Sequence, residues 1–385
     1  MAATERRGGL LRASGFDPLF VGATITLLLV GLVSIYSVNQ AVPAIGAFKK
    51  QLLLLAIGAI PFSIFLLTPA TIWNRLVNWL YALNLVMLTG VILKGSTAGG
   101  AQRWLDLGPI QFQPSEMSKI ITVITLSVFF NRRRESLGEF STFFLSFLHV
   151  LPTLLLVFLQ PHLGATITIF VSWLAISLVA TVPWKHIVLL LTTLVLGASI
   201  VGTTMLQPYQ LERVRTLFSS QKDNQKEHYQ QDQAMIAIGV GGTLGQGYLR
   251  GEQKERRAVP EQHNDFIFTV IGEEGGFFGS ALVLLAFALF FGRGWFLSLQ
   301  MGDLFGRMAC IGVLSVLAFH WVVNMAMNLG IGPVVGLWLP FVSYGGTALW
   351  LCLSCVGLII NLNARAQEGV FSGGAAPQNW LDRSD

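Results

Sequence analysis

Charged residues are scarce in this chain of 385 residues. Asp, Glu, Lys and Arg together make up 12% of the sequence, whereas soluble domains carry about 25%. A soluble protein of this length needs more charged side chains than that to cover its surface. The shortage excludes an ordinary soluble globular protein and predicts a polytopic membrane protein, in line with a hydrophobic content of 53% and a mean hydropathy of +0.62.

Cysteine is also scarce. The three cysteines, Cys310, Cys352 and Cys355, all lie inside apolar runs, so the sequence indicates no disulfide framework. The C-x-x-C spacing of Cys352 and Cys355 marks redox or zinc sites in some soluble proteins. Inside an apolar helix, these residues are instead predicted to be small packing residues.

The chain has no nucleotide-binding P-loop motif. The stretch "GVGGTLGQG" (239–247) is rich in glycine but lacks the lysine and the strand-to-helix context of that motif. It is predicted to be a re-entrant or surface turn. The excess of 25 basic over 20 acidic residues is attributed to cytoplasmic loops of a membrane protein, so no nucleic-acid partner is predicted.

Long apolar runs are abundant. A helix needs roughly 20 apolar residues to cross a bilayer, and runs of this kind predict an all-α bundle of about ten transmembrane helices. The stretch 94–113 between the third and fourth runs is too polar and too rich in glycine to span. The predicted spans are 17–38, 46–68, 71–93, 113–130, 140–159, 163–181, 184–206, 266–292, 306–328 and 341–363.

Basic residues predict the orientation of this bundle. Three arginines precede the first run, "NRRRES" (131–136) follows the fourth and Arg365 follows the last. With ten spans all of these lie on the side of the N-terminus, which is therefore expected to be cytoplasmic together with the C-terminus. Residues 1–16 form the cytoplasmic N-terminal segment, 17–366 the transmembrane domain and 367–385 a tail predicted to be disordered. The largest extracytoplasmic loop is then 207–265, between the seventh and eighth helices.

Glu116 and Lys119 are ionisable residues at the edge of the fourth span. Pro114 fits the start of a helix, and residues three apart share a helix face. An ionisable side chain within a membrane costs roughly 2.5–3.5 kcal/mol on insertion scales. Two interpretations stay open, a structural ion pair that fixes bundle packing and a functional pair that contacts substrate.

Four further residues are candidates for an extracytoplasmic substrate site. Arg103, Arg213 and Arg215 carry guanidinium groups that suit a phosphate headgroup, and a solvated basic face is the plainer interpretation of the last two. Trp104 next to Arg103 is typical of an interfacial aromatic anchor. If the substrate is an anionic lipid, Arg213 and Arg215 are well placed to hold it at the interface.

The segment "VPEQHNDFIF" (259–268) places Glu261, His263 and Asp265 directly before an apolar run. Asp265 is either a helix cap favoured by the helix dipole or a general base whose pKa partial burial would raise. If the segment is helical, Glu261 and Asp265 share a face. With His263 they form a set compatible with a divalent cation such as Mg²⁺ or Mn²⁺, although such sites have no firm spacing rule.

Two more groups complete the candidate residues. In "LPFVSYGG" (339–346), Ser343 and Tyr344 bring hydroxyl groups to the outer end of the last span. Glu273 and Glu274 lie deeper in the eighth span, where they are either structural or mark a polar interior cavity. The sequence leaves that choice open.

The order of these motifs resembles a known family. "GAQRWLDLG", "FQPSE" with Lys119, "QAMIAIGVGGTLGQG", "PEQHNDFIF" and "LPFVSYGG" are similar to the SEDS family (shape, elongation, division and sporulation), which includes RodA and FtsW. The resemblance covers about residues 15–366. One departure is Asn264, where the family motif has threonine.

The resemblance implies a ten-helix peptidoglycan glycosyltransferase that polymerises lipid II, with a class B penicillin-binding protein as partner and membrane lipids around it. It assigns the essential acid to Asp265, the cavity pair to Glu116 and Lys119, and the motif Arg–Trp pair to Arg103 and Trp104. Asp265 would remove the acceptor hydroxyl proton while cationic side chains steady the leaving pyrophosphate. A RodA-type elongation enzyme is favoured over an FtsW-type division enzyme, and a lipid II flippase and a non-catalytic scaffold are the rival functions.

Overall fold

The computed structural model describes residues 16–42, 46–98, 101–108, 110–204 and 225–371. Helices dominate these residues. In chain order they are α1 (Pro18–Ala41), α2 (Ala47–Leu67), α3 (Ala70–Lys94), α4 (Pro114–Arg132), α5 (Phe140–Leu159), α6 (Leu163–Val179), α7 (Trp184–Thr204), α8 (Gln225–Val240), α9 (Glu252–Glu255), α10 (Ile267–Gln300), α11 (Leu304–Asn328) and α12 (Gly346–Phe371).

A helix lies at each of the ten predicted ranges. Within the described residues, seven of these helices are long and apolar enough to cross a membrane, namely α1, α2, α3, α5, α10, α11 and α12. Two more, α6 and the part of α7 up to Val195, are shorter apolar helices. The chain is therefore a multi-pass membrane protein. The count of ten spans stays a prediction.

The stretch 94–113 is a small β-sheet, so the prediction of an all-α chain was incomplete there. Strands β1 (Ser96–Ala98), β2 (Ala101–Leu107) and β3 (Ile110–Phe112) pair antiparallel in the order β1-β2-β3. In register, Thr97 faces Gln102 and Leu105 faces Phe112. The sheet lies directly before α4.

Helices α1 and α10 run antiparallel, as contacts along their length show. At one end the Arg293 guanidinium contacts Asp17 at 2.7 Å, and the Phe20 and Phe290 rings stack at 4.9 Å nearby. At the other end Ser37 bonds to Glu274. The latter end, where α1 ends and α10 and α4 begin, is called the site end of the bundle below.

The eighth predicted span, 266–292, is wrong in its bounds. Gly276 has φ 61° and ψ −156°, so α10 consists of two helices that meet at a break. Residues 267–275 form a short helix, and the remaining 24 residues to Gln300 are long enough to cross a bilayer by themselves. Only glycine adopts this backbone conformation readily, so Gly276 permits a break that the length of the hydrophobic segment does not reveal.

Two loops also differ from their predictions. The predicted loop 207–265 contains α8 and α9, while its first part lies outside the described residues. The last span was predicted from residue 341, but α12 begins at Gly346 because the Leu339 carbonyl accepts turn bonds from the amides of Val342 and Ser343. Residues 329–345 are therefore one loop at the site end.

The core is built from side chains of most of the long helices. Trp173, Phe130 and Phe290 are among its largest fully buried members. All three cysteines are free and buried in it. The prediction that they are packing residues is confirmed.

Candidate active site

The backbone around Asp265 is held by three consecutive hydrogen bonds. The carbonyl of His263 accepts from the Tyr344 amide at 2.9 Å and that of Asn264 from the Ser343 hydroxyl at 2.6 Å. The carbonyl of Asp265 accepts from the side-chain amide of Asn324 at 2.7 Å. The turns of residues 260–266, called the Asp265 turn below, are thereby fixed against the 329–345 loop and α11.

The Asp265 carboxylate does not cap a helix. Helix α10 begins at Ile267, and its N-cap residue Phe266 makes no side-chain capping bond. No hydrogen bond between described residues involves the carboxylate oxygens of Asp265. The side chain is partly exposed, and a Cβ placed on Gly336 would lie 3.4 Å from its Oδ2. The carboxylate is thus positioned by its backbone but free to bind a ligand.

Burial raises the pKa of Asp265 to about 6, and the negative charge of Glu261 adds to the rise. Glu261 faces it from the same turn, whereas α11 and the 329–345 loop present the uncharged residues Asn324, Asn328 and Gly336. A carboxylate with this pKa is ionised at neutral pH and is still basic enough to accept a proton.

Glu261 and His263 do not form a helical face with Asp265. Glu261 has φ 50°, which is left-handed backbone, and its exposed carboxylate accepts from the Asn264 side chain at 2.8 Å. Burial lowers the pKa of His263, an effect that Glu261 opposes. Within the described residues no three His, Cys, Asp or Glu side chains are placed to hold a metal ion. The proposed divalent-cation set therefore does not fit this geometry.

Ser343 and Tyr344 lie against the Asp265 turn, and their placement at the outer face stays a prediction. The Ser343 hydroxyl also accepts from the Leu339 amide at 2.8 Å, so this buried group joins two backbone segments. The Tyr344 ring lies 5.5 Å from the His263 ring and is half-buried. Ser343 therefore positions the turn, whereas the half-buried Tyr344 ring keeps part of its surface accessible.

Glu116 and Lys119 form a buried ion pair with a separation of 2.7 Å. The other carboxylate oxygen of Glu116 accepts from the Trp338 indole at 3.1 Å. The Lys119 ammonium lies 2.9 Å from Nε2 of His320. These four residues are called the Glu116 cluster below. The predicted shared face on α4 is confirmed, and each charge has a partner, as burial requires.

Three polar residues of α11 were missed by the sequence analysis. His320, Asn324 and Asn328 are four residues apart and therefore share one face of that helix. His320 joins the Glu116 cluster, while Asn324 and Asn328 both donate to the Asp265 carbonyl. Polar residues at this spacing in an otherwise apolar helix were the signal that could have revealed them.

The 329–345 loop links the Asp265 turn to the Glu116 cluster. Asn324 donates to the Leu337 carbonyl at 2.6 Å as well as to Asp265. The next residue, Trp338, binds Glu116, and its ring lies tilted against that of His320 at 4.0 Å between ring centroids. The two polar groups that the sequence predicted separately are therefore parts of one connected network.

Arg103 lies on β2 and binds two backbone carbonyl groups. Its guanidinium donates to the carbonyls of Gln160, at 3.2 Å, and of Pro161. The half-buried Trp104 pairs with Ser96 of β1. The next residue after Pro161, His162, contacts the Ser115 hydroxyl at 3.0 Å. The β-sheet is thus fixed between the α5–α6 turn and the start of α4.

One buried histidine that the sequence analysis missed, and two predicted arginines, remain to be placed. Burial lowers the pKa of His162, and the charges of Lys119 and Arg103 lower it further, so this histidine is a neutral hydrogen-bonding group. Arg213 and Arg215 lie outside the described residues. Their proposed contact with substrate stays a prediction.

Comparison with known proteins decides the family. The sequence profile described as "Cell cycle protein", that of the FtsW/RodA/SpoVE group, matches residues 18–368. The chain belongs to the FtsW/RodA/SpoVE family. This is the SEDS family that its motifs predict. A relative from Escherichia coli, peptidoglycan glycosyltransferase MrdB, is 32% identical over 347 residues, which cover 90% of this chain and 93% of MrdB.

Solved structures of the family share the fold. A chain of a peptidoglycan synthase complex that coordinates polymerization and crosslinking matches with a TM-score of 0.75 and 27% identity, covering 90% of this chain and 97% of that one. The rod shape determining protein RodA of Thermus thermophilus matches with a TM-score of 0.66 and 26% identity, covering 91% and 97%. The family fold therefore extends over nearly the whole chain.

Proposed function

We propose that this SEDS-family chain is a peptidoglycan glycosyltransferase that polymerises lipid II at the outer face of the cytoplasmic membrane. The observation that carries the proposal is the Asp265 carboxylate, which is held by its backbone, partly exposed and unbonded to described residues. A base in this state suits activation of a hydroxyl group. The relatives' names supply the substrate class, since MrdB is named a peptidoglycan glycosyltransferase.

The proposed step is a glycosyl transfer. Asp265 accepts the proton of the GlcNAc 4-hydroxyl of one lipid-linked disaccharide. The freed oxygen attacks the MurNAc anomeric carbon of the growing chain and forms the new glycosidic bond. The bond from that carbon to undecaprenyl pyrophosphate breaks, and the pyrophosphate leaves with the electron pair. No acid catalyst is needed, because pyrophosphate is a good leaving group.

Substrate contacts are proposed for the residues around this carboxylate. Tyr344, His263 and Glu261 line its turn, while Arg103 and Trp104 of the β-sheet, with Arg213 and Arg215 of the loop before α8, would hold the anionic headgroup at the interface. Glu116, Lys119 and Ser343 act from buried positions and shape the site through the 329–345 loop. A class B penicillin-binding protein is the proposed partner, in line with the polymerization and crosslinking named for the similar synthase complex.

A polymerisation assay tests the proposal. Purified protein in detergent is incubated with labelled lipid II, and glycan is separated by length. Wild type is expected to make polymer, and Asp265→Asn is expected to lose at least about 100-fold in rate, since general-base catalysis contributes about 10²–10⁴-fold. Asp232→Asn, an exposed aspartate of α8, is the matched control and should keep the wild-type rate. Equal polymer from wild type and Asp265→Asn would refute the assignment of the base.

The same assay separates the rival functions. A flippase makes no polymer in detergent, because detergent removes the two sides of the membrane. A scaffold makes none even with its transpeptidase partner present. Parallel reactions with EDTA, Mg²⁺ or Mn²⁺ reveal a metal requirement. Elongation, favoured over division, predicts that the protein localises to the lateral wall rather than to the septum.

A further inference from the structure

The short helix of residues 267–275 carries the Asp265 turn at its beginning but is not rigidly continued by the membrane helix behind it. The break at Gly276 separates the two parts of α10. A break leaves backbone groups without helical partners and removes the stiffness that a continuous helix supplies. Something other than the membrane helix must therefore fix the direction of the short helix.

One support is the glycine loop, residues 241–247, which lies backbone to backbone against the break. The amides of Gln246 and Gly247 donate to the carbonyls of Glu273 and Glu274, at 2.9 and 3.1 Å. In the other direction, the Phe277 amide donates to the Gly242 carbonyl at 2.9 Å. These bonds give hydrogen-bond partners to backbone groups on both sides of the break.

The close approach explains two of the glycines of this loop, Gly241 and Gly245. A Cβ on Gly241 would overlap the carbonyl oxygen of Gly272, and a Cβ on Gly245 would overlap that of Glu274. Any larger residue would force the loop away from the short helix. The catalytic proposal does not explain the glycine-rich motif "GVGGTLGQG" (239–247). Its structural role is to pack against the break in α10.

The second support is made by side chains. Glu273 accepts from the amides of Gln253 and Lys254, at 2.6 and 3.3 Å. The Lys254 ammonium binds the Glu274 carboxylate and donates to the Ser37 hydroxyl of α1 at 2.6 Å. Ser37 in turn donates to Glu274 at 2.5 Å. Ser37, Lys254, Glu273 and Glu274 are all buried, and they are called the Lys254 lock below.

We propose that Lys254 is a positioning residue for the glycosyl transfer. Through the Lys254 lock it joins the loop after α8 to α1 and to the far end of the short helix, and so sets the place of Asp265. The inference rests on the proposed function of Asp265 as base. Lys254 itself contacts neither Asp265 nor substrate, so its effect passes through the helix of residues 267–275.

Hydrogen exchange tests the lock without any need for activity. In Lys254→Met, amides of residues 267–275 and 242–247 are expected to exchange at least about tenfold faster than in wild type, because local opening becomes easier. Arg256→Met is the matched control. Arg256 lies next to the same short helix α9, and its ion pair with Glu252 is exposed, so its removal should change neither exchange nor activity.

The pH dependence of polymerisation separates positioning from simple folding. If Lys254→Met loosens the short helix, Asp265 becomes more hydrated and its pKa falls toward the ordinary value. The acid limb of the rate profile then moves to lower pH by about one unit or more, and the maximal rate falls about tenfold or more, since small displacements of a catalytic group are costly. A variant that merely leaves less folded protein would lower the rate without moving the limb.

The double variant Lys254→Met/Glu274→Gln removes both charges and so leaves no unpaired carboxylate in the lock. It is expected to fold but to keep the faster exchange and the shifted acid limb. If Lys254→Met is not recovered folded, the double variant by itself tests the proposal. Wild-type exchange and profile in either variant would overturn the proposal. If the wild type makes no polymer, the proposed function fails, while the exchange experiment still judges the lock.

Discussion

Asp265 combines a fixed backbone with an unbonded carboxylate, and this combination separates it from other buried acids of the described chain. Glu116, Glu273 and Glu274 are all bound by donors of neighbouring helices or loops. Such acids stabilise the fold, because a buried charge without partners is expensive. Glu261 and Phe341 adopt left-handed backbone on the two loops that meet at Asp265, a strain of about 1–3 kcal/mol each that is often found at functional sites.

The pKa of Asp265 gives a prediction for the reaction rate. Its value of about 6 means that the base is ionised above pH 6 and progressively protonated below it. The polymerisation rate is expected to be constant above about pH 7 and to fall about tenfold per pH unit below pH 6. A rate profile in detergent, with lipid II at saturating concentration, measures this limb. An acid limb near pH 4 would show that burial does not raise the pKa.

A measurement of thermal stability shows whether the Asp265→Asn variant is folded. The pKa of Asp265 is higher in the folded state than its ordinary value of 3.8, so ionisation opposes folding as the pH rises from about 4 to about 6. Asparagine cannot ionise. At pH 8 the variant is therefore expected to melt at the same temperature as wild type or higher, with a gain of order 1 kcal/mol after allowance for partial exposure. Loss of activity then reports chemistry rather than unfolding.

Two short elements at the site end depend on close backbone contact. The glycine loop lies against the short helix 267–275, and the 329–345 loop lies against the Asp265 turn. Helix α11 adds Asn324 and Asn328, which both donate to the Asp265 carbonyl. The first contact joins main-chain groups to each other, and in the second a main-chain amide and two kinds of side chain donate to main-chain carbonyls. Main-chain contacts of this kind tolerate little change of distance.

The glycine loop gives a prediction with an internal control. Gly241→Ala places a methyl group against the Gly272 carbonyl and is expected to cost about 1–3 kcal/mol, the range for overpacking. Gly239→Ala two residues earlier lies in α8 with open space around its added methyl group and should be neutral or stabilising, since alanine favours helix. Melting temperatures in detergent compare the two. Equal destabilisation by both variants would contradict the close packing.

The whole molecule is a bundle in which polarity is concentrated at the site end. Asp17 and Arg293 form an ion pair at the opposite end of α1 and α10, and the basic stretch after α4 also begins there, at Arg132. If this opposite end is cytoplasmic, as its arginines predict, Asp265 faces the outer side of the membrane. That orientation is required by the proposed function, since lipid II is polymerised outside the cell.

Cysteine labelling tests the orientation. In a background where the three buried cysteines are replaced by alanine, Ile331→Cys and Arg134→Cys place single thiols at exposed positions of opposite ends. A membrane-impermeant maleimide added to spheroplasts is expected to label Ile331→Cys, and to label Arg134→Cys only after permeabilisation. The reverse pattern would contradict an extracytoplasmic site. Labelling of both after permeabilisation confirms that both thiols are reactive.

Much of this protein is determined by its sequence alone. The apolar runs determine a multi-pass membrane protein, because a bilayer requires continuous apolar helices, and the ordered motifs determine the family. The spacing of Glu116 and Lys119 predicted their shared helix face, because helical periodicity is local. Asp265 was singled out by another local signal, because it is a carboxylate at the edge of an apolar run.

Only the tertiary structure decided how these parts meet. The break at Gly276, the partners of Glu273 and Glu274, and the link from Asn324 and Trp338 to both polar groups depend on contacts between residues far apart in the chain. Such contacts have no periodicity along a sequence. Hydrophobic pattern alone places helices in a membrane, but contacts between segments far apart in the chain decide which buried carboxylate is bound by donors and leave that of Asp265 without a hydrogen bond to the described residues.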